Sequence, residues 1–509
     1  MLSYIARRLL LMIPTLIGIT FLVFMLIALS PGGIGASLRA ADGQMEATSA
    51  AIRAAYIEDR YGLDAPAALQ YARWLRRISP IKFGVRDQVT LANERISSPR
   101  PLDPPLLWDW FAASLPEPGE PTPIVWEAGS TADERDRLYR RAANAYAQAR
   151  AEYIATKAEY ELELGRAAAE LGVERPRTAK GKLREEAFRE IGPAGEHPSW
   201  RPVRVAAERA LAEYGGALTA REQLIAAFRA KPYREAGVAV VPGVLSLATP
   251  DFGVSFSKSR PVVELIAVAL PVTLLINLVA VPIIYFISIP MGMLAAVRRG
   301  TWFDALAGAL VIGLFSFPTV LAGVLAMGFL ASNQYLGAFP VSGLHDKSAD
   351  AFTFLPSAGP EGAWSRGYVL DTLWHICLPV LCLVYTGFAV LSKQTRAAML
   401  DNFNADYVRT AKAKGVADRD VIFRHVFRNS LLPLITIFVA IFPAMLSGSV
   451  IIEKIFSVPG MGSLVIDAIN NRDRELVLAT TLMIGVVNLL ALLLADILYA
   501  LADPRITYG

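Results

Sequence analysis

Basic side chains recur along the segment Asp406–Pro433, which reads DYVRTAKAKGVADRDVIFRHVFRNSLLP. Five of them are Lys412, Lys414, Arg419, Arg424 and Arg428. Fixed cations spaced in this way form ionic contacts, either with the surface of another protein or with anionic lipid headgroups. The segment is therefore a candidate for docking, and its chemistry is electrostatic rather than catalytic.

Two short helices are predicted to carry these cations. The first covers residues 407–414 and ends at Gly415, because glycine readily adopts the left-handed conformation of a helix C-terminus. A second helix begins at once with Asp418 as its N-cap, and Pro433 lies beyond it. Its apolar face consists of Val421, Ile422, Phe423, Val426 and Phe427. Such a pair is suited to a groove on another protein.

Ionisable residues inside apolar stretches form a second group of candidates. Asp496 lies in the last stretch, where a charge is costly and is a functional candidate by default. Asp503 and Arg505 follow closely, so a hydrated or paired residue at the membrane interface is the competing interpretation. His375 is a lone histidine, which is weak evidence for a metal site.

Signatures of catalysis are missing from the sequence. It contains no GxxxxGK[ST] phosphate loop, HExxH zinc motif, Ser/His/Asp set or paired-carboxylate arrangement. Cys377 and Cys382 are five residues apart on roughly opposite sides of a helix, which predicts buried thiols rather than a disulfide or a metal site. The sequence thus predicts no catalytic residue, no metal ligand and no cofactor bound by this chain.

Composition indicates a membrane protein. Of the 509 residues 54% are hydrophobic, and the mean hydropathy is +0.40. The net charge of +4 is small for this length and gives no case for nucleic-acid binding. Six apolar stretches predict an all-α protein with six spans. They are Leu9–Leu29, Leu265–Val297, Ala305–Ala331, Thr372–Ser392, Leu431–Ile452 and Leu476–Ala502.

The first two spans each have a further interpretation. Leu9–Leu29 is longer than the roughly 7–15 residues of a signal-peptide core, so a membrane helix is preferred to a cleaved signal. Leu265–Val297 exceeds one crossing, so its first part, near Glu264 and Pro271, is expected to follow the outer interface before the chain turns inward. Two more prolines are expected to kink it, Pro282 and Pro290.

Charge predicts the sides of the membrane on which the loops lie. The loop 393–430 holds eight Lys or Arg, whereas 332–370 holds two and 453–475 holds three. Because cytoplasmic loops carry the excess of Lys and Arg, loop 393–430 and both termini are predicted to be cytoplasmic. Residues 31–260 are then external. They lie between residues 1–30, predicted to form the cytoplasmic N-terminus and the first transmembrane helix, and a five-helix transmembrane core at 261–509.

The external region contains three kinds of segment that differ in composition and periodicity. Ile52–Ile78 predicts one or two short amphipathic helices. The eight prolines of Pro99–Pro123 predict an extended, partly mobile spacer. A long helix is predicted over Thr131–Leu171. Capping boxes are predicted for two pairs of residues, Thr131 with Glu134 and Thr219 with Glu222.

Several runs of sequence, in this order, resemble one known family. They are ARRLLLMIPTLIGITFLVFMLIALSPG, YGLDAPAALQYARWL, DFGVSFSKSRPV, PMGMLAAVRRGTWFD, the basic segment, EKIFSVPGMGSLVIDAI and LLADILYALADPRITYG. The chain resembles the integral-membrane permease subunits of bacterial ATP-binding-cassette importers of the dipeptide, oligopeptide and nickel type. The resemblance implies the type I permease fold of six transmembrane helices, with a mainly helical external insertion at about residues 80–248.

In the resembled family, the cytoplasmic loop between the fourth and fifth spans carries an EAA-type motif that docks in a cleft of an ATPase. Ala411 and Gly415 match that motif, whereas Arg409 and Thr410 stand where the general motif has Glu and Ala. The coupling residues implied by the resemblance are Tyr407, Arg409, Thr410, Ala411, Lys412, Lys414, Gly415, Ile422, Arg428, Leu432 and Pro433.

The resemblance also implies partners. A second homologous permease would complete the path as a heterodimer, and two ATPase subunits would bind ATP and Mg²⁺. An external solute-binding protein would deliver substrate. The implied location is the bacterial inner membrane, in contact with lipid. Peptides, nickel chelates, some oligosaccharides and related small solutes all stay open as substrates.

Five residues are candidates for the path or its gate. Asn277 and Asn488 could line the path, with hydrogen bonding between spans as the competing interpretation. Glu453, Pro459 and Gly460 lie in an external loop that resembles the family's periplasmic re-entry, with a plain turn as the alternative.

Two other classes of protein stay open on the residues alone. A secondary transporter or channel is expected to show an inverted repeat, a row of intramembrane carboxylates or a filter sequence, and none is visible. A membrane-anchored scaffold would work through its external helices, although six spans exceed what anchoring requires.

Overall fold

The computed structural model describes residues 2–29, 66–91, 95–126, 130–173, 183, 185–189, 197–358, 364–447 and 450–502. The chain divides into two compact units. Residues 1–34 and 252–509 form the first, here called the spanning unit, and residues 35–251 form the second, here called the inserted unit. The predicted residues 52–65, Asp503 and Arg505 lie outside the described residues.

The inserted unit is mainly helical. The first helix of the chain, α1 (Leu2–Leu29), belongs to the spanning unit. The helices and strands of the inserted unit follow it and are α2 (Ala67–Ile78), β1 (Ile81–Phe83), β2 (Gln88–Val89), β3 (Arg95–Ile96), α3 (Ala132–Glu170), α4 (Glu185–Arg189), α5 (Trp200–Arg229), β4 (Arg234–Glu235), β5 (Val238–Val241) and β6 (Leu245–Leu247). The two long helices, α3 and α5, pack against each other. Aromatic and small side chains fill the core between them, because alanines allow the two backbones to approach closely.

One predicted capping box is confirmed and the other is wrong. Thr131 Oγ1 accepts a hydrogen bond from the Glu134 amide at 3.2 Å, and the Glu134 carboxylate accepts one from the Thr131 amide at 2.9 Å. These bonds lower the pKa of Glu134. Thr219 instead lies inside α5, where its hydroxyl donates to the carbonyl of Gly215 at 3.0 Å. Helix α5 begins nineteen residues earlier, at Trp200.

The proline-rich segment is extended as predicted except for a 3-10 helix at Trp108–Trp110, and it is packed along α3. Tyr153 donates its hydroxyl to the carbonyl of Asp103 at 2.6 Å, and Tyr160 donates to the carbonyl of Leu106 at 2.5 Å. Leu107 and Tyr160 are almost completely buried. Burial raises the pKa of the Tyr160 hydroxyl, which keeps it a hydrogen-bond donor. The tyrosines of α3 therefore hold the segment in place.

Two small antiparallel sheets, which the sequence did not predict, complete the inserted unit. Their strand orders are β1-β6-β5 and β3-β2-β4. In the first sheet, one face carries two rows of apolar side chains. Most of this face is exposed, with Phe83 at 63% and Val238 at 70%. The inserted unit thus consists of a pair of long helices together with two small sheets, whose strands come from the first and last parts of its sequence.

The remaining elements belong to the spanning unit. They are α6 (Val262–Val297), α7 (Trp302–Ser316), α8 (Thr319–Leu325) with a π-helical turn at Ala326–Ala331, β7 (Ser357–Ala358), β8 (Trp364–Ser365), α9 (Gly367–Phe403), α10 (Asp406–Ala413), α11 (Asp418–Asp420) with a π-helical turn at Val421–Phe427, α12 (Leu431–Ser447), α13 (Val450–Ile455), α14 (Met461–Asn470) and α15 (Arg474–Ala502).

Four helices are long and apolar enough to cross a membrane by themselves. Two bent pairs bring the count among the described residues to as many as six, with bends of 84° between α7 and α8 and 52° before α12. The protein is an all-α membrane protein with these helices as its spans. The helices pack chiefly through α6 on α9, α12 on α15 and α1 on α15.

Two predicted spans differ from the structure. Helix α6 is continuous over 36 residues, about 54 Å, and contains Pro271, Pro282 and Pro290, so the predicted turn after its first part is wrong. Helix α9 continues to Phe403, eleven residues past the predicted end at Ser392. Packing of α6 against α9 stabilises both helices along their length, which a hydropathy window does not register.

Candidate functional site

The basic segment begins with α10, whose end is built as predicted. Gly415 has a φ of +76°, in the left-handed region that favours glycine. Its amide donates to the carbonyl of Lys412 at 3.0 Å, and the Val416 amide donates to that of Ala411 at 3.2 Å. This pair of bonds is a Schellman motif, which satisfies carbonyls that the helix end leaves free. The glycine thus turns the chain sharply after α10.

The second helix starts differently from the prediction. Ala417 is the N-cap, and Asp418 is the first helical residue, without a side-chain capping bond. A carboxylate in the first turn still interacts favourably with the helix dipole. The helix then widens into a π-helical turn at Val421–Phe427 before the chain enters α12. The expected N-cap role of Asp418 is therefore wrong, although the helix itself is confirmed.

The apolar face of the segment is turned toward the chain itself. Val408, Ala411, Val421 and Val426 are buried in a cluster with Met399 of α9 and Ala296 of α6. These side chains fill a core within the chain itself, so most of the apolar face is covered without a partner. Only its flank stays open, where Phe423 is 52% exposed.

The polar side of the segment is exposed. Among the predicted coupling residues, Ile422 and Leu432 are half-buried and Ala411 is buried, whereas the exposed ones are Tyr407, Arg409, Thr410, Lys412, Lys414, Gly415, Arg428 and Pro433. Arg409 pairs with Asp406 at 3.7 Å, and Arg424 pairs with Asp420 at 3.5 Å. Exposed pairs of this kind contribute little to stability. The segment thus presents a basic surface on a buried apolar base.

Two polar residues, Asn402 and Ser430, anchor this segment, although no sequence pattern singles them out. Ser430 is buried, and its hydroxyl lies within hydrogen-bonding distance of two carbonyls, that of Val426 at 2.9 Å and that of Ala398 in α9 at 3.1 Å. Asn402 donates to Ser430 Oγ at 3.1 Å and accepts from the Tyr407 hydroxyl at 2.5 Å. These bonds join the end of α9, the start of α10 and the exit into α12. The segment is therefore fixed at both ends to the same helix.

Glu453, a candidate for the gate, is a buried cap of α14. Its carboxylate accepts a hydrogen bond from the Ser463 amide at 2.9 Å and one from the Thr273 hydroxyl at 3.0 Å. Thr273 Oγ1 in turn accepts from the Met461 amide at 2.7 Å. Gly460 is buried against this group, and Pro459 beside it is exposed. The structure thus joins α6, α13 and α14 through one carboxylate.

The two asparagines occupy different surroundings. Asn277 donates to the carbonyl of Thr273 at 2.8 Å within α6, so it lies close to the Glu453 group. Asn488 lies on α15 and is exposed. The structure therefore brings Asn277 near the gate candidates and leaves Asn488 apart from them.

Asp496 is paired with α1. Its carboxylate accepts a hydrogen bond from the Tyr4 hydroxyl at 2.8 Å and forms an ion pair with Arg8 at 3.1 Å. The predicted paired interpretation of Asp496 is confirmed, although the partner is Arg8, nearly five hundred residues away in the chain. These two contacts join α1, the first helix of the chain, to α15, the last one.

His375 lies beside Asp371 at the start of α9. Its Nδ1 is 2.9 Å from the carbonyl of Asp371, and the Asp371 carboxylate accepts from the Asp346 amide at 2.9 Å. Burial lowers the pKa of the neighbouring His345 imidazole. No group of three or more potential ligands suited to a metal ion occurs in the part of the chain that the structure describes.

Helices long and apolar enough to span a membrane, with a basic segment packed against two of them, define an integral-membrane protein. Residues 288–508 match the family described as binding-protein-dependent transport system inner membrane component. The chain belongs to this family, as a peptide-type permease subunit of an ABC importer located in the inner membrane.

Curated relatives agree with this assignment. The chain is 38% identical over 259 residues to the inner membrane ABC transporter permease protein YejB of Escherichia coli O157:H7, covering 51% of this chain and 68% of that protein. It is 39% identical to the oligopeptide transport system permease protein AppB of Bacillus subtilis over 51% of this chain and 76% of AppB. Identity to the dipeptide permease DppB of the same organism is 32%, with the same coverage.

Proposed function

We propose that this chain forms half of the translocation path of an ATP-driven importer and that residues 406–433 couple it to an ATPase. The observation that carries the proposal is the exposed basic side of α10, held on a buried apolar base between α6 and α9. A surface fixed in this way transmits a push to two spanning helices, because packed helices move as rigid bodies. A scaffold that only anchors an external unit has no need of it.

The partners of the proposal follow from this arrangement. Two ATPase subunits bind ATP and Mg²⁺ and dock on the segments of two permeases, of which this chain is one. A solute-binding protein delivers the substrate on the other side of the membrane. The basic segment and both termini lie in the cytoplasm, and the inserted unit lies outside. Arg409 and Thr410 stand where the general motif has a glutamate and an alanine, so the proposal includes no salt bridge from a glutamate of this motif to the ATPase.

Peptides are the proposed substrates. The relatives are named for oligopeptide and dipeptide transport, and a peptidoglycan transport permease from Agrobacterium fabrum is 34% identical over 259 residues. All three names describe solutes that contain peptide bonds or short peptides. Purification of the native complex, with identification of its subunits and of the ligand held by the binding protein, tests this assignment directly.

Gly415→Val tests the coupling segment. A β-branched residue at positive φ costs about 1–2 kcal/mol, and the end of α10 must shift to relieve it. A matched control exists in Gly243→Val, because Gly243 in the inserted unit has a φ of +75° and is also free of atoms within 4 Å of an added Cβ. In proteoliposomes containing the whole complex, Gly415→Val is expected to lower ATP-driven uptake about tenfold while Gly243→Val does not.

Insertion and ATPase abundance are measured for both variants and should match the native complex. Equal uptake by the native and Gly415→Val complexes would refute the assignment of the coupling segment. ATP-independent uptake driven by an ion gradient would instead favour a secondary transporter.

A further inference from the structure

The third span is broken in its middle. Helix α7 ends at Ser316 and α8 begins at Thr319, with an angle of 84° between the two parts. Phe317 has an extended backbone, and Pro318 lacks the amide that would continue the helical ladder. The kink therefore has a clear local cause and interrupts the regular hydrogen bonding of the span.

The break lies well inside the spanning region. The hydroxyl of Tyr385 donates to the carbonyl of Phe317 at 3.0 Å. Tyr385 lies 18 residues from Gly367 and 18 from Phe403, at the midpoint of α9. At 1.5 Å per residue, each end of α9 is about 27 Å away. The bond thus fixes irregular backbone at membrane depth.

Several hydroxyl groups lie next to the break. The residues of the break itself are largely exposed on the surface of this chain. Thr319 Oγ1 lies 3.3 Å from Thr386 Oγ1, next to the bond between Tyr385 and Phe317. Ser316 and Pro318 are exposed, and Phe317 is 40% exposed. Irregular backbone does not face lipid in a bilayer, where its polar groups would have no partner. The break must therefore meet either water in a path or another protein.

We propose that the break lines the aqueous substrate path and contacts the backbone of a passing peptide. The proposal rests on the proposed function of this chain as a permease. Hydroxyls both donate and accept, so Ser316, Thr319 and Thr386 match the amide N–H and C=O groups that every peptide carries. Uncharged groups of this kind bind without selecting side chains. A permease for varied peptides needs contacts that are weak and independent of sequence.

Cysteine accessibility tests the proposal. The sequence has only two cysteines, so Cys377→Ala and Cys382→Ala give a cysteine-free background. Ser316→Cys in the assembled complex is expected to react with a charged methanethiosulfonate reagent, which requires water, and to be protected at least threefold by saturating oligopeptide. The matched control is Leu310→Cys, on the regular part of α7 and 46% exposed. It is expected to react only with a lipid-soluble maleimide.

A second variant gives a readout in transport. Tyr385→Phe removes the bond to Phe317 without changing the shape of the side chain, and should raise the KM for peptide uptake about threefold to tenfold. Ser316→Cys that resists the charged reagent, or that cross-links to the second permease, would overturn the proposal, as would equal labelling with and without peptide.

The two proposals fail in different ways. If the chain is not part of an importer, the native complex shows no ATP-driven uptake in the same proteoliposomes. If only the path assignment is wrong, native uptake is normal and Ser316→Cys stays unlabelled by the charged reagent.

Discussion

Arg396 holds Asp304 through two parallel hydrogen bonds, from Nε to Oδ1 at 2.7 Å and from Nη2 to Oδ2 at 2.9 Å. Asp304 lies in the first turn of α7 and also accepts from the Gly300 amide at 3.1 Å. Arg396 lies seven residues before the end of α9, which leads into the basic segment. The pair therefore connects α7, the first half of the third span, to α9, the helix that leads into the basic segment.

Arg396→Lys is expected to impair the complex even though it keeps the charge. A lysine has no planar fork and cannot make both bonds to the carboxylate. We expect a loss of about 1–3 kcal/mol of stability, with part of the loss screened by solvent at Arg396. Thermal unfolding in detergent measures it, and Arg409→Lys, at an exposed pair, is the control. Equal melting of both variants and the native protein would contradict a structural role for the fork.

Asp473 joins the start of α15 to a distant segment. Its Oδ2 accepts from the hydroxyl of Ser255 at 2.5 Å and from the amide of Ser257 at 3.1 Å, and Oδ1 accepts from the Leu476 amide at 3.3 Å. Asp473 and Ser255 are buried. The carboxylate thus caps a spanning helix and fixes the chain that enters α6.

Asp473→Ala leaves the buried Ser255 hydroxyl and the half-buried Ser257 amide without their acceptor, which costs about 1–3 kcal/mol. We expect a clear drop in melting temperature and increased proteolysis near residue 255. Asp467→Ala is the control, because Asp467 makes ion pairs that are partly exposed and worth about 1 kcal/mol or less. If the two variants melt together, the bonds to Ser255 and Ser257 contribute no stability.

Gly460→Ala is expected to destabilise the group around Glu453. A Cβ at this position would lie 2.5 Å from Thr273 Oγ1 and 2.6 Å from Glu453 Cδ. Overpacking of this kind costs about 1–3 kcal/mol. Gly308→Ala is the matched control, since an added Cβ in α7 meets no atom within 4 Å and alanine favours a helix. Expression and melting should fall only for Gly460→Ala, and tolerance of both would show that the contact relaxes easily.

Asp496→Asn should leave uptake within about twofold of the native rate, because the pair with Arg8 is partly exposed and contributes about 1 kcal/mol or less. The asparagine can still accept the hydroxyl of Tyr4. Peptide uptake at a series of pH values measures the effect. A loss of uptake with normal insertion would show instead that the carboxylate acts in transport.

Prediction from sequence succeeded where the cause is local. The capping box of Thr131 and Glu134 and the glycine stop at Gly415 involve residues three to five apart, so the pattern contains all the interacting groups. The pattern of Thr219 and Glu222 is equally local but lies inside α5, because packing on α3 extends that helix past it. A cap signal specifies a helix start only when no neighbour stabilises an earlier one.

The sequence by itself determined the class of protein, because spans of apolar residues and the motifs of a peptide-type permease are continuous along the chain. Only the tertiary structure decided which face of the basic segment is available. Periodicity shows that Val421 and Val426 share a face, but the residues that cover it, Met399 and Ala296, come from α9 and α6. Likewise Asp473 meets Ser255 across 218 positions. Burial depends on contacts between distant parts of the chain, and a local pattern contains only one side of each contact.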